Sequence, residues 1–209
     1  TGFRAEGVIF AEHVRALGPG QDSLSMARAA GRLIDQSQGA LTRTGAPFDL
    51  AIEGPGYFLI ETPGGDRLTR AGHFTPDANG ELVTPDGYRL LDAAGAPVFV
   101  PPDAGAISIG QDGTLSADGQ PIGAIGLWEP VDPLDLIHRS GVLFEAADGV
   151  QPMADYTLVQ GFLEDSNVNP VVQIARMIEV QRAYELGQSF LDAEDERVRG
   201  FVRTIGARS

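Results

Sequence analysis

SNVNPVVQIARMIEVQRAYELGQSFLDAEDERVRGFVRTI, residues 166–205, is the stretch that decides the fold. Ser166-Asn167 reads as a helix start with Pro170 in the first turn, where a proline's missing N–H and fixed φ do no harm. No further proline follows, so the pattern predicts a helix of roughly 35 residues, on the order of 50 Å long. Met177, Val180, Tyr184, Gly187, Leu191, Glu194, Val198, Phe201 and Ile205 fall at alternating three- and four-residue steps, and seven of these nine positions are apolar. That heptad spacing favours a coiled-coil seam over the 3.6-residue stripe of a helix lying on a globular core. A seam needs a second helix, and no other part of the chain reads as one. The partner is expected to be an upstream segment or another molecule.

Upstream of the helix the chain is of a different kind. Residues 1–167 hold 24 of the 27 Gly and 13 of the 14 Pro, with nine Arg against 23 acids, so they carry the whole net charge of −14. Residues 168–209 balance six Arg against six acids. From Pro47 onward short β-prone runs alternate with turn signals every eight to twelve residues, the spacing of an all-β sandwich or barrel-like domain. The runs are Phe48–Ile52, Tyr57–Glu61, Arg67–Arg70, Glu81–Thr84, Tyr88–Leu91, Val98–Val100, Ala106–Ile109, Thr114–Ser116, Ile122–Trp128, Val142–Phe144 and Thr157–Phe162. Asn79-Gly80, Asp86-Gly87, Asp112-Gly113 and Asp118-Gly119 separate several of them and accept the positive φ angles that hairpins require. The expected fold is mainly β with one long C-terminal α-helix. Its parts are an extended arm over 1–46, broken at Gly18-Pro19-Gly20, a β-rich domain over 47–166 and an amphipathic helix over 167–209.

Chemistry is sparse. A net charge of −14 argues against nucleic acid, whose binding rests on Lys and Arg neutralising phosphates. There is no Cys, which removes disulfides, thiolate metal sites and cysteine nucleophiles. No run of about 18 apolar residues suggests membrane insertion, and no signal peptide is recognisable. His13, His73 and His138 are far apart, without the i, i+4 spacing of a helical metal site. No nucleophile elbow, phosphate loop or dinucleotide fingerprint occurs. Asp77-Ala78-Asn79-Gly80-Glu81 has the opening of a calcium loop, but Tyr88 stands where the bidentate acid belongs, so a solvated hairpin turn is the better reading. Trp128 reads as a core or interface residue before it reads as a sugar platform. We therefore expect no catalytic residue, no metal and no cofactor.

Four blocks, in order, carry a resemblance. Thr1-Gly2-Phe3-Arg4 opens the chain. Asp49–Phe58 places Gly54 and Gly56 before the aromatic pair Tyr57-Phe58. Arg70, Gly72 and Phe74 in Thr69–Phe74 follow, then Gly80 and Gly87. Last come Asn167-Val168-Asn169 and Gln181-Arg182-Ala183-Tyr184-Glu185. Together they resemble the axial proteins of the bacterial flagellum, the rod, hook and hook-associated subunits. The hook protein's additional inserted domain has no room here, and the Asn169-Pro170-Val171 step looks more like the proximal than the distal rod type.

The resemblance implies a rod/hook-type β-domain outside an axial tube. The tube would be lined by the C-terminal helix paired with a helix upstream of Thr1, and this chain, which lacks an initiator Met, is expected to have lost that helix. It further implies type III export without a cleaved signal, a place in the periplasmic rod of the basal body, and contacts with other rod subunits and further copies of itself. Met177, Val180, Tyr184, Leu191, Val198, Phe201 and Ile205 are the expected assembly interface. A second reading, a secreted acidic β-protein binding calcium or glycans, rests on the Asp-Gly turns and Trp128.

Overall fold

The computed structural model describes residues 1–15 and 24–206, and nothing is described of the side chains of residues 9–15, 24–30, 201, 202 and 204–206. The expected Gly18-Pro19-Gly20 break lies outside the described residues, as does the side chain of His13. The chain forms two compact units, Thr1–Asn167 and Val168–Ser209.

The first unit is built from antiparallel strands. Seven of them pair in the spatial order Leu136–His138, Leu143–Ala146, Gly65–Thr69, Phe58–Thr62, Arg89–Leu91, Leu82–Val83 and Thr75–Pro76. The strand Phe58–Thr62 sits at the middle of this sheet and explains the unbroken apolar run Tyr57-Phe58-Leu59-Ile60. Phe58 and Ile60 face one buried cluster with Leu50, Ile52, Phe74, Leu82 and Leu90, while Tyr57 and Leu59 face another with Leu68, Leu91, Leu136 and Phe144. A strand covered on both faces has no polar position to alternate with. Each fully buried Phe or Ile removes enough apolar surface from water to stabilise by roughly 1.5–3 kcal/mol, and Phe58 stacks edge-on against Phe74 with ring centres 5.2 Å apart.

Ile107–Ile109, Thr114–Ala117 and Gln120–Ala124 form a three-stranded sheet. Its second hairpin turns on Asp118 (φ 50°) and Gly119 (φ 80°), with Ala117 paired to Gln120. This is the two-residue loop with both central residues left-handed that an Asp-Gly step favours. Elsewhere, Asp carboxylates take the place of strand partners. Asp77 Oδ1 accepts from the amides of Asn79 and Glu81, Asp92 Oδ1 from Ala94 and Ala96, Asp112 Oδ1 from Thr114, and Asp118 from Gly105 and Ala106.

Several expectations are corrected here. The range 1–46, expected as an extended arm, contains paired strands: Glu6–Arg15 pairs with Leu24–Ile34, and Leu41–Arg43 with Phe162–Glu164. Val98–Val100 forms no strand of its own: its backbone meets the sheet at isolated pairs, Leu91 with Pro97 and Glu81 with Phe99, while Val98 and Val100 pack into the core. Strands at Thr75–Pro76, Leu136–His138 and Val150–Pro152 were not anticipated, being two or three residues long and carrying little local pattern.

The second unit is one α-helix, Pro170–Gly206, 37 residues long, about 55 Å at 1.5 Å per residue. It begins later than Ser166-Asn167. Asn169 is the cap: its Oδ1 accepts from Val171 N (3.0 Å) and Val172 N (3.3 Å), two amides with no helical partner. Asn167 is engaged in the first unit instead. No helix among the described residues is long and apolar enough to cross a membrane.

The turn-capping acids set a pH dependence. Hydrogen bonds from the Glu81 amide hold Asp77 below the ordinary carboxylate value, those from Thr114 do so for Asp112, and those from Ala106 and Gly105 do so for Asp118. A carboxyl lowered in the folded state stabilises fully above its unfolded value of about 3.9, and loses that contribution as pH falls through the folded value. Urea midpoints measured from pH 7 downward are expected to decline below about pH 4, and Asp118→Asn is expected to flatten the decline. Midpoints that do not change with pH would contradict this.

Candidate functional site

Three segments remote in sequence meet in the first unit. Gly2 N donates to Glu164 O (2.7 Å), Asn167 N to Phe3 O (3.3 Å), and Ala5 N to Asn167 Oδ1 (2.7 Å), so residues 2–5 run beside 164–167. Asn167 Nδ2 then donates to the carbonyls of Asp35 and Ser37, joining the third segment. The amide side chain of Asn167 uses donor and acceptor at once, which no apolar or purely acidic residue could do.

Under these backbone contacts lies an ion cluster. Glu164 is 1% exposed, Arg4 3% and Arg70 2%. Glu164 Oε1 accepts from Arg4 Nη2 (3.0 Å) and from Gly39 N (2.9 Å), while Oε2 accepts from Arg70 Nε (2.8 Å). Arg70 spends its outer nitrogens on the carbonyls of Gly56 (2.5 Å) and Gly54 (3.0 Å), and its guanidinium lies over the Tyr57 ring. Arg4 Nη1 donates to Ser37 O. Desolvation by burial lowers the Arg70 pKa, and the charge of Glu164 opposes that shift.

Glycines make the approach possible. A Cβ on Gly2, which has φ 66°, would lie 2.4 Å from Ala71 N, and one on Gly72 would lie 1.7 Å from Leu50 O. At Gly39 it would lie 2.0 Å from Asp165 O. Each position brings backbone against backbone, where only glycine fits.

The structure thus gathers Gly54, Gly56, Tyr57, Arg70 and Asn167 at one place, with Gly72 beside it. Phe58 and Phe74 belong to the core behind, and Gly80 and Gly87 to hairpin turns with φ 84° and 83°. Val168 and Asn169 lie in the second unit, where Asn169 caps the helix. Glu164 was missed by sequence reasoning: it is one acid among 29, and only its place at the end of an otherwise apolar Phe162-Leu163 step marks it.

On the helix, Met177, Val180, Tyr184, Leu191 and Val198 are all exposed, between 53% and 66%. Phe201 and Ile205 are helical, but their side chains lie outside those described. Val171, Ile174, Ile178, Leu186 and Phe190 are exposed as well, and Val171, Ile178 and Leu186 fall on the side away from the seam at about 100° per residue. The first half of the helix is therefore apolar on more than one face. Gln181 Nε2 donates to Glu185 Oε1, and Gln188 Nε2 to Tyr184 Oη; Arg182 shares this stretch. The second half carries the ion pairs Arg197–Glu194 and Arg199–Asp195, both 2.7 Å. These are exposed pairs of small energetic weight.

The remaining candidates make contacts within the β-unit. His73 Nδ1 sits 2.5 Å from Asp49 Oδ1. His138 Nε2 sits 2.8 Å from Gly141 O, and its ring meets Phe3 edge-on. Trp128 is half-buried with its indole N–H donated to Asp92 O, and Asp77 is closed on its own turn.

Comparison with known proteins identifies the family. Residues 51–117 match the model of the flagellar hook protein FlgE/F/G D1 domain, and residues 159–199 that of the flagellar basal body rod FlgEFG protein C-terminal region. The flagellar basal-body rod protein FlgF of Mesorhizobium japonicum is 38% identical over the whole of this chain and 87% of its own length. FlgF of Caulobacter vibrioides is 38% identical over 81% of this chain and 70% of its own. FlgG of Bacillus subtilis is 37% identical over 79% and 68%.

Removing the shared carboxylate should leave two buried guanidinium groups without a counter-ion. Glu164→Gln is expected to cost about 3–5 kcal/mol, read from urea denaturation, whereas Glu145→Gln, at a partly exposed carboxylate shared by Arg67 and Arg139, should cost much less. Equal losses at the two positions would refute the central role of the cluster.

Proposed function

The chain belongs to the flagellar hook and basal-body rod protein family, on its FlgF side, as a structural subunit of the basal-body rod, and from that premise we propose that it works by helix-mediated assembly. The observation that carries this reading is the exposed heptad seam of Met177, Val180, Tyr184, Leu191 and Val198. Apolar side chains in that number cost solubility unless a partner covers them, and the register extends to Phe201 and Ile205.

In the proposed assembly the seam is covered by helices of the axial tube, those of neighbouring subunits among them. The β-unit, residues 1–167, would face outward and touch its neighbours laterally. Contacts between unlike patches on identical subunits do not close into rings and so generate a helical polymer.

The partners are then other rod subunits and further copies of this chain, the place is the periplasmic part of the basal body, and export proceeds through the type III apparatus without a cleaved signal. The subunit transmits torque and turns over no substrate.

Light scattering tests this reading on the full-length protein mixed with the other rod subunits. Stoichiometric or polymeric complexes are expected, and Leu191→Asp combined with Val198→Asp should abolish them while leaving the β-unit folded by near-ultraviolet circular dichroism. A protein that stays monomeric with every rod subunit, or complexes indifferent to both substitutions, would overturn the proposal.

A further inference from the structure

The ion cluster carries more positive than negative charge. Arg4 and Arg70, each at least 97% buried, share the single carboxylate of Glu164. Among the described residues Arg4 Nε is buried without a hydrogen-bond partner, an orphaned charged donor of a kind that is rare in native structures. Both arginines line a cavity of about 270 Å³, whose other walls are Gln36, Gln38, Tyr57 and the Gly54–Gly56 turn. Among the described residues no acidic side chain lines it. Asp35 feels the Arg4 charge, but its carboxylate is turned to Ser37 N (2.9 Å).

A surplus cation in a low-dielectric pocket attracts an anion far more strongly than the same cation on the surface. The walls also carry the amides of Gln36 and Gln38, each giving one N–H to a backbone carbonyl (Pro133 and Ile52) and keeping a second N–H for a ligand, and the phenol of Tyr57. The volume has room for a small oxyanion. Across the rest of the molecule the excess charge is negative, so this cavity is an isolated positive focus in an acidic protein.

We propose that the cavity is a receiving site for a carboxylate, which completes the charge balance of the Arg4–Glu164–Arg70 cluster. The carboxylate comes either from a small free acid or from an Asp or Glu side chain of a second copy. The site is independent of the helix seam, so either proposal can fail without the other.

The test uses the whole chain and acetate as the probe. Melting temperatures are measured at pH 7 in sodium acetate and in sodium chloride at matched ionic strength. A specific site predicts a shift on the order of 2–4 °C that saturates with acetate; general salt effects grow without saturating. Gln36→Glu places a carboxylate on the cavity wall and is expected to remove the acetate shift. Gln120→Glu, which adds the same charge on the exposed strand Gln120–Ala124, is expected to keep it. A melting temperature that rises with protein concentration in chloride alone, and no longer does so in Gln36→Glu, assigns the carboxylate to a second copy. Saturable stabilisation by acetate with no concentration dependence assigns it to a free acid. No saturable shift and no concentration dependence, or an undiminished shift in Gln36→Glu, overturns the proposal.

Discussion

One buried carboxylate organises this molecule. Glu164 closes the end of the strand Phe162–Glu164, and from that position it binds a guanidinium from residue 4, another from residue 70 and the amide of Gly39. Burying charge is costly, and a paired cluster of this kind adds little net stability over a well-packed apolar one. What it adds is a unique arrangement, because each arginine is unpaired anywhere else. The turn at Gly54–Gly56 is fixed by Arg70, the segment Asp35–Ser37 by Arg4 and Asn167, and the opening residues by Gly2 and Ala5. Four stretches of chain with no local reason to be neighbours are held together because one acid and two bases cannot separate.

The acidity of the β-unit has a similar local explanation. Asp77, Asp92, Asp112 and Asp118 bond within their own turns or to a neighbouring segment. Each turns at least one carboxylate oxygen to a backbone amide at the end of a short strand. With strands of two to five residues outside the opening hairpin, much of the backbone lies at turns, and turns need acceptors that the ladders do not provide. Gly and Asp are abundant for the same reason: one supplies the left-handed backbone and the other caps the amides it exposes.

Much of this was legible in the sequence. The Asp-Gly and Asn-Gly steps marked hairpins, the apolar runs marked core strands, and the three- and four-residue steps after Pro170 marked the helix and its seam. The boundary of the helix was placed three residues early because Ser166 and Asn167 are both good caps by composition; only the geometry shows Asn167 committed to Ala5 and Asp35. The opening hairpin was hidden for a different reason. Residues 26–33 are rich in Ala and Arg, which favour helix, and their strand state comes from pairing with residues about 20 positions away. Glu164 was hidden most completely, because burial of an acid depends on bases that arrive from residues 4 and 70, and no window on the sequence contains them all. The second apolar face of the helix was overlooked because Val171, Ile178 and Leu186 do not share the seam's register.

The glycines at positions 2, 39 and 72 have a mechanical side. Where two segments touch through side chains, a push on one can be absorbed by rotamer changes in the other, since those wells differ by little energy. Here there are no side chains between Gly2 and Ala71, Gly39 and Asp165, or Gly72 and Leu50. Peptide planes meet directly, and a peptide plane yields only by bending bond angles or twisting ω, which stiffen quadratically. In a rod subunit, the place where the opening segment, the closing segment and the β-unit join is therefore among its least compliant parts, and a load arriving there is passed on with little lost motion.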